Sequence, residues 1–335
     1  RIRSFADAQR NCLTSLKTAI PGGFAGHNLA PVRKAACYAP GGRFPLPSSV
    51  LMTAITARSA GVQEVWVVAP SSNDVMLAAA YISGADGLIL AGGAHAIAGV
   101  AWGTETLPAV DMIVGPGNRW VTAAKQLVSG QVGIDMLAGP SELLVMADEE
   151  ADASLVAADL IAQAEHDPDA VPILLTTSAR VVKDVQSALE EILRDLDTAD
   201  TARASLRQGA SLVCDNWKEA TELANRLGPE HLEVQVENPI ALADMLDNYG
   251  GLFIGAGSAE VIGDYGAGPN HVLPTSGTSR YRGGLSVFDF LRIRTWIRID
   301  APGDASCLYS DAEDLAGLEG LSGHGLSAGR RSQSH

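Results

Sequence analysis

Cysteine is scarce in this sequence, and the few cysteines are scattered. They are Cys12, Cys37, Cys214 and Cys307, and none of them lies in a CxxC pair, the spacing typical of zinc and redox sites. This pattern favours neither a disulfide framework nor a cysteine-ligated metal, and it suits a reducing compartment. We therefore expect a cytoplasmic protein. A signal-peptide pattern is also missing from the start of the chain.

Positive charge and long apolar runs are also in short supply. Lys and Arg total 24 against 39 Asp and Glu, for a formal net charge of -15. Nucleic acids and anionic membranes are bound mainly through excess Lys and Arg, so this balance disfavours both as partners. The most apolar stretch, 76–102, contains Asp86, His95 and several glycines, which argues against a membrane span. A small molecule is the expected partner.

Strand-like and helix-like segments alternate along the chain. Runs such as 64–69 and 142–147 predict buried strands, while 48–60 and 153–164 have helical spacing. Such alternation predicts parallel sheets. The chain has 335 residues, more than the roughly 250–300 that a single core usually serves. We predict an α/β protein with two doubly wound, Rossmann-like parallel-sheet domains and a small C-terminal helical tail.

One predicted helix ends with two polar residues on the same face. Gln163 and His166 lie three residues apart near the end of segment 153–166, so both side chains can reach one atom. This is metal-ligand geometry. A histidine in the last turn also complements the helix dipole, so an ordinary helix end is the alternative.

Two further segments carry residues suited to proton transfer. Glu230 and His231 are adjacent after a Gly-Pro turn; histidine titrates near neutrality, and burial can raise the pKa of a glutamate. The glycine-rich segment 263–271 carries Asp264 and His271 on a predicted loop, where backbone can approach a ligand closely. Taken alone, the segment of Glu230 and His231 is better explained as a solvated loop.

The usual dinucleotide fingerprint is missing, because no GxGxxG follows the first predicted strand. Three other segments, 38–42, 92–95 and 115–118, lie where a strand is followed by a helix. Helix N-termini attract anions such as phosphates. These segments are either a nucleotide site or plain βα turns.

Taken together, these segments resemble the histidinol dehydrogenase family. The matching blocks follow the family's order and cover essentially the whole chain: YAPGG at Tyr38, VLM at Val50, GGAHAIA at Gly92, GPGN at Gly115, DMLAGPSE at Asp135, AADLIAQAEHD at Ala157, GPEHLEV at Gly228, GDYGAGPNHVLPT at Gly263 and EGLSGH at Glu319. The resemblance implies oxidation of L-histidinol, through L-histidinal, to L-histidine. It also implies NAD as the oxidant and a homodimer with one zinc ion in each active site.

The resemblance further implies roles for individual residues. The catalytic pair would be Glu230 and His231. The zinc ligands, which also meet the substrate, would be Gln163, His166, Asp264 and, from the partner subunit, His324. Other substrate contacts would be Ser141, Tyr265, His271 and, from the partner subunit, Glu319. NAD would be contacted by Tyr38, His95 and Asn118.

The same resemblance implies a domain division and reveals two departures. Residues 1–37 with 142–285 would carry the zinc and catalytic groups, 38–141 would bind NAD, and 286–335 would reach the partner subunit. The chain begins inside a helix-like segment without Met, and family members carry a further N-terminal segment, so we expect a truncated start. The family commonly has Gln where this chain has His95, which lacks the amide's donor-acceptor pair.

Two other functions fit the same residues. A sister dehydrogenase would act on another small polar primary alcohol, such as a sulfonated diol. A zinc hydrolase would use Glu230 to activate water, without a nucleotide. A covalent cysteine route to aldehyde oxidation is disfavoured, because only Cys37 lies near a functional block.

Overall fold

The computed structural model describes residues 1–41 and 45–333, so Gly42, the end of the YAPGG block, lies outside the described residues. The strands are β1 (Leu16–Ile20), β2 (Gly23–Pro31), β3 (Lys34–Tyr38), β4 (Glu64–Ala69), β5 (Gly87–Leu90), β6 (Met112–Val114), β7 (Gly133–Ile134), β8 (Glu142–Ala147), β9 (Val171–Thr176), β10 (Ala210–Val213), β11 (His231–Gln235), β12 (Gly251–Ile254) and β13 (Leu291–Ile299). The helices are α1 (Ile2–Asn11), α2 (Pro47–Ala60), α3 (Asp74–Ser83), α4 (Gly93–Trp102), α5 (Arg119–Val128), α6 (Ala153–Ala164), α7 (Ala179–Asp195), α8 (Ala199–Leu206), α9 (Trp217–Leu227), α10 (Pro239–Ala243), α11 (Glu260–Tyr265), α12 (Ser306–Leu318) and α13 (Ser322–Gln333).

The chain divides into two compact units. One comprises residues 1–10 and 32–290, and the other comprises residues 11–31 and the chain from 291 onward. The first unit contains two five-stranded parallel sheets, and the second contains an antiparallel sheet and the two C-terminal helices. The predicted α/β class, with two parallel sheets and a C-terminal helical tail, is confirmed. No helix in the described ranges is long and apolar enough to cross a membrane.

The first parallel sheet has the strand order β5-β4-β3-β6-β7. The chain builds outward from β3 to β5 and then crosses to β6 on the other side, so the order reverses between β3 and β6. Crevices at such switch points, outside the carboxyl ends of the strands, are where α/β sheets bind ligands. Buried Ala36, Ile97, Ile113 and Val121 form part of the core that joins the sheet to α4 and α5.

The second parallel sheet has the order β10-β9-β8-β11-β12. Successive residues of the central strand β8 face opposite sides: Leu144 packs with Leu232 in one core, and Leu143 packs with Val156 of α6 in the other. Covering both faces explains why β8 reads as a continuous apolar run. Each such leucine contributes roughly 1.5–3 kcal/mol through burial.

The antiparallel sheet of the second unit has the order β1-β2-β13 and was not expected from the sequence. Ile20 pairs with Gly23 across a tight hairpin, and β13 pairs with all of β2. A side chain at Gly26 would meet the Leu16 carbonyl at 2.2 Å and the Trp296 ring at 2.6 Å, so only glycine fits there. The arginines of β13 concealed its strand pattern.

Three observations bear on the domain division, which remains a prediction. The sheet that contains most of residues 38–141 begins earlier, because β3 starts at Lys34. Residues 16–31 form β1 and β2, which pair with each other and with β13 rather than with the second parallel sheet. Arg1, just before α1, donates a hydrogen bond to the carbonyl of Gly266, just after α11, at 3.1 Å.

Candidate active site

The amino ends of β8 and β11 lie side by side and hold the predicted catalytic pair. His231 pairs with Leu143 in the parallel register. The N–H of Glu142 donates to Oε2 of Glu230 at 3.0 Å, and Nδ1 of His231 donates to the carbonyl of Glu142 at 3.1 Å. Glu230 and His231 are 7% and 5% exposed, so the interpretation as a solvated loop is wrong. Both main-chain groups of Glu142 therefore fix the pair.

The environment of His231 makes it a neutral base. A carbonyl can only accept, so Nδ1 carries the proton and Nε2 carries the lone pair. Within the described part of the chain, buried Nε2 has no hydrogen-bond partner. Burial lowers the pKa of His231 to about 4, although the nearby charge of Asp264 and the bond to Glu142 act in the opposite direction. The imidazole is therefore uncharged at neutral pH and able to accept a proton.

The surroundings of Glu230 make its carboxylate a stronger base. Burial raises its pKa well above the ordinary value, and the charges of Glu142 and Asp264 add to this effect. Hydrogen bonds from the Glu142 amide and the Ser141 side chain oppose it. Ser141, predicted to contact substrate, therefore touches the catalytic carboxyl group.

A second buried glutamate, Glu260 at the start of α11, was not identified from the sequence. Its Oε1 lies 3.6 Å from Nδ1 of His231, and its Oε2 has no partner among the residues described. Burial and the charges of Asp264 and Glu230 raise its pKa well above the ordinary value. No local pattern in the sequence marks it, because only the fold of α11 onto this edge brings it to His231.

The predicted zinc ligands of the first unit belong to α6, to the turn after it and to α11, and these two helices are in contact. Gln163 is 1% exposed, and its buried Oε1 has no hydrogen-bond partner within the described ranges. His166 follows the end of α6 and is exposed. Asp264 lies on α11, so the prediction of a loop across 263–271 is wrong for residues 263–265. Gln163, His166 and Asp264 supply oxygen and nitrogen donors that suit zinc.

Asp264 is held in its charged form by neighbouring histidines. Burial alone would raise its pKa, but the hydrogen bond and the charge of His271, with a smaller contribution from His166, outweigh burial and lower it. Nδ1 of His271 lies 3.4 Å from Oδ1 of Asp264. In contrast, the adjacent Tyr265 is 69% exposed. The site thus has an ionised carboxylate beside the imidazole of His271.

No three His, Cys, Asp or Glu side chains converge as metal ligands in the parts of the chain the structure describes. The predicted ligands of the first unit include only two residues of those types, with the Gln163 amide as the third donor. The orphaned Oε1 of Gln163 fits that role, because a buried polar atom normally has a partner.

The two residues predicted to act on a partner subunit lie in the second unit. Glu319 ends α12 and His324 lies in the first turn of α13. Both are exposed, and both line a groove of about 400 Å³ between these helices.

The residues predicted to contact NAD lie at the carboxyl edge of the first sheet. Tyr38 ends β3, and its hydroxyl accepts from the Gly93 amide at 3.1 Å. His95 is exposed in the first turn of α4. Asn118 caps α5, its side-chain oxygen accepting from the amides of Trp120 and Val121. These positions surround the switch point between β3 and β6 and fit a nucleotide crevice.

Comparisons with known proteins identify the family of the chain. A sequence profile of histidinol dehydrogenase matches residues 1–332. Histidinol dehydrogenase from Methylococcus capsulatus is 45% identical over 340 residues, covering 100% of this chain and 78% of that protein. The enzyme of that name from Thermus thermophilus is 46% identical over 307 residues, covering 91% and 74%.

A solved structure is similar along nearly the whole chain. The crystal structure of histidinol dehydrogenase from Elizabethkingia anophelis has a TM-score of 0.95 and 34% identity, covering 99% of this chain and 78% of that one. With the profile match and the relatives above, this similarity places the chain in the histidinol dehydrogenase family.

Proposed function

We propose that this chain catalyses the NAD-dependent oxidation of L-histidinol, through L-histidinal, to L-histidine, the last steps of histidine biosynthesis. The carrying observation is His231, a buried and neutral imidazole whose Nε2 has no partner among the described residues. Its neighbour Glu230 is a second proton acceptor on the same strand edge. The names of relatives at 45% and 46% identity support the substrate.

Each oxidation removes a proton from oxygen and a hydride from carbon. Nε2 of His231 accepts the alcohol proton as the carbon loses hydride, which leaves the aldehyde. Glu230 takes a proton from water as the water oxygen attacks the aldehyde carbon, and the protonated His231 gives its proton to the aldehyde oxygen, which completes the hydrate. After releasing its proton, His231 takes a hydroxyl proton of the hydrate during the second oxidation, which leaves the acid. NAD, when bound, supplies the hydride acceptor.

The raised pKa of Glu230 fits this division of labour. Burial makes its carboxylate a stronger base than an exposed glutamate. The Ser141 contact restricts where that carboxylate points. We assign Ser141, Tyr265 and His271 to substrate contact, with Glu319 of the partner subunit.

The proposed zinc ligands are Gln163, His166 and Asp264, with His324 of the partner subunit. Gln163 and Asp264 supply oxygen atoms and the histidines supply nitrogen, a donor set that zinc accepts. Zinc, when bound, supplies a Lewis acid that orients a substrate carrying imidazole and amine groups. Asp264 brings the negative charge, which its histidine neighbours maintain.

The first sheet is the proposed NAD site, with contacts from Tyr38, His95 and Asn118. We also propose that the protein is a cytoplasmic homodimer. No disulfide joins the cysteines of the described ranges, a state that suits a reducing compartment. A shared active site requires two copies of the chain.

A covalent cysteine mechanism does not fit the site. Cys37 is fully buried in β3, and burial raises the pKa of its thiol to about 12. The nucleophilic form of cysteine is the thiolate, which is scarce at neutral pH with so high a pKa. Proton removal by His231 and Glu230 is therefore the proposed chemistry for both steps.

The direct test is NADH formation with zinc-loaded protein and L-histidinol. Two NADH are expected for each L-histidinol consumed, because an alcohol is oxidised to an acid. Sulfonated diols serve as competing substrates, and a His231→Asn variant is the inactive control. NADH formed only with another alcohol would favour the sister dehydrogenase. Ester or amide hydrolysis without NADH would instead favour the zinc hydrolase.

A further inference from the structure

A buried ion pair in the first sheet has no role in the chemistry above. Lys125 of α5 is 2% exposed, and its ammonium contacts the carboxylate of Asp135, which is fully buried after β7. Removing both charges from water is costly, and such a pair often stabilises a protein no better than apolar residues would. Stability alone is therefore a poor explanation for it.

Lys125 and Asp135 bind both main-chain groups of Gly115, at the carboxyl edge of the first sheet where the NAD site is proposed. Oδ2 of Asp135 accepts from the N–H of Gly115 at 2.6 Å, and Nζ of Lys125 donates to the carbonyl of Gly115 at 3.1 Å. Asp135 also accepts from the Met136 amide at 2.6 Å. Gly115 follows β6 directly, so the ion pair holds the main chain at the point where this strand ends.

Gly115 is also pressed against the neighbouring strand. Its φ is 113°, and an added Cβ would lie 2.0 Å from the carbonyl oxygen of Tyr38 at the end of β3. Tyr38 in turn accepts a hydrogen bond from Gly93 at the start of α4. The turns after β3, β5 and β6 are thus connected at the switch point of the sheet.

Lys125 itself is not a candidate phosphate ligand. Its ammonium is buried and already bonded to Asp135 and Gly115. Its effect on a ligand at this edge must pass through the turn it holds. That turn ends in Asn118, which caps α5 and begins the helix whose N-terminus faces the crevice.

We infer that Lys125 and Asp135 are positioning residues for the nicotinamide dinucleotide, a role that rests on the proposed NAD site of the first sheet. They hold Gly115 so that the turn 115–118 and the start of α5 keep the shape that accepts the cofactor. They act on cofactor affinity and leave the chemistry of His231 untouched.

The test compares Lys125→Met with an Arg58→Met control. Arg58 forms an ion pair with Asp86 at 2.6 Å, at the amino edge of the same sheet. In Lys125→Met we expect the KM for NAD and the Kd for NADH, from fluorescence titration, to rise roughly 10- to 100-fold, as for a displaced binding group. The KM for L-histidinol and the bound zinc should not change. Arg58→Met should leave both NAD constants unchanged.

A double variant, Lys125→Met with Asp135→Leu, separates positioning from stability. It removes both charges together and is expected to recover thermal stability lost by the single variant. NADH affinity should stay weakened, because Gly115 still lacks both partners. Wild-type NADH affinity in a folded double variant would overturn the inference alone. Failure of the zinc-loaded wild type to bind NADH would overturn the proposed NAD site as well.

Discussion

The main-chain carbonyl of Glu142 accepts from Nδ1 of His231 at 3.1 Å, so strand β8 sets the tautomer of the imidazole on strand β11. Because the acceptor is a main-chain atom, no substitution of the Glu142 side chain removes it. The nitrogen that can accept a proton is Nε2, which has no partner among the residues described. In the mechanism proposed above, the pairing of β8 with β11 therefore orients the base.

The two catalytic residues should differ in which half-reaction they serve. His231→Ala should slow both the alcohol and the aldehyde oxidation, whereas Glu230→Gln should slow chiefly the oxidation of supplied L-histidinal. Losing a general base typically costs about 10²–10⁴-fold in rate. Stopped-flow measurement of NADH formation from each substrate checks this.

Glu237→Gln is the matched control, because Glu237 is exposed just beyond β11. It should retain the wild-type rate of both half-reactions. Equal and small losses for Glu230→Gln in both would show that Glu230 does not activate water.

Zinc binding should depend on Gln163, in the last turn of α6, and on His166, just after that helix. Gln163→Leu and His166→Ala should each lose most of the bound metal while the far-ultraviolet circular dichroism stays unchanged. His27→Ala, in the antiparallel sheet, should keep its zinc. Elemental analysis after dialysis measures the metal, and full retention in His166→Ala would remove His166 from the ligand set.

Much of the fold could be predicted because periodicity follows burial. The apolar run of β8 and the helical spacing of α6 predict their elements well, since one strand is covered on both faces and the helix on one. Strand β11 was missed because it carries Glu233 and Gln235, which are buried as well. Their polar contacts, including one to Asp159, replace the apolar contacts that a sequence pattern detects.

Site residues could be predicted only where a motif carries them. Glu230 and His231 lie in a recognisable block, whereas Glu260 lies in an ordinary helix start and reaches His231 only through the fold. Lys125 likewise reads as a basic residue near a helix end. Its burial against Asp135 depends on how α5 packs on β7, which no local spacing reveals.

Folding stability should fall as the pH rises from about 4.5 to about 8. Burial, followed by the charge of Asp159, raises the pKa of Glu233 from 4.5 to about 8. The folded state then keeps a proton that the unfolded state releases, so the stabilisation is complete below pH 4.5 and lost through pH 8. Glu233→Gln should therefore lose less stability over this range than the wild type.

Urea unfolding near pH 4.5 and near pH 8 measures the change in the free energy of unfolding for the wild type and the variant. The Glu233→Gln variant should still lose some stability as the pH rises, because burial also raises the pKa values of Glu230 and Glu260. Exposed Glu191→Gln should follow the wild-type curve. A Glu233→Gln curve parallel to the wild type would mean that Glu233 is ionised in the folded protein.

The active site should be shared between two subunits. Glu319 and His324 line one groove of the second unit. The mechanism proposed above gives neither residue a role in its own subunit. If His324 of the partner subunit completes each zinc site, then His324→Ala and His231→Ala proteins are both inactive. Mixing them should restore activity, because a heterodimer has one site with both defects and one with neither. With free exchange at equal amounts, about a quarter of the sites are intact.

The matched control is a mixture of His166→Ala and His231→Ala proteins. In the proposed site, His166 and His231 come from the same subunit. Each heterodimer therefore has one defect in each site, and no activity should return. Native mass spectrometry of differently tagged chains establishes that subunits exchange in both mixtures. Activity in neither mixture, despite exchange, would mean that α13 serves its own subunit. Activity in both mixtures would mean that His166 also acts across the interface, because only residues on opposite sides of a site can complement His231.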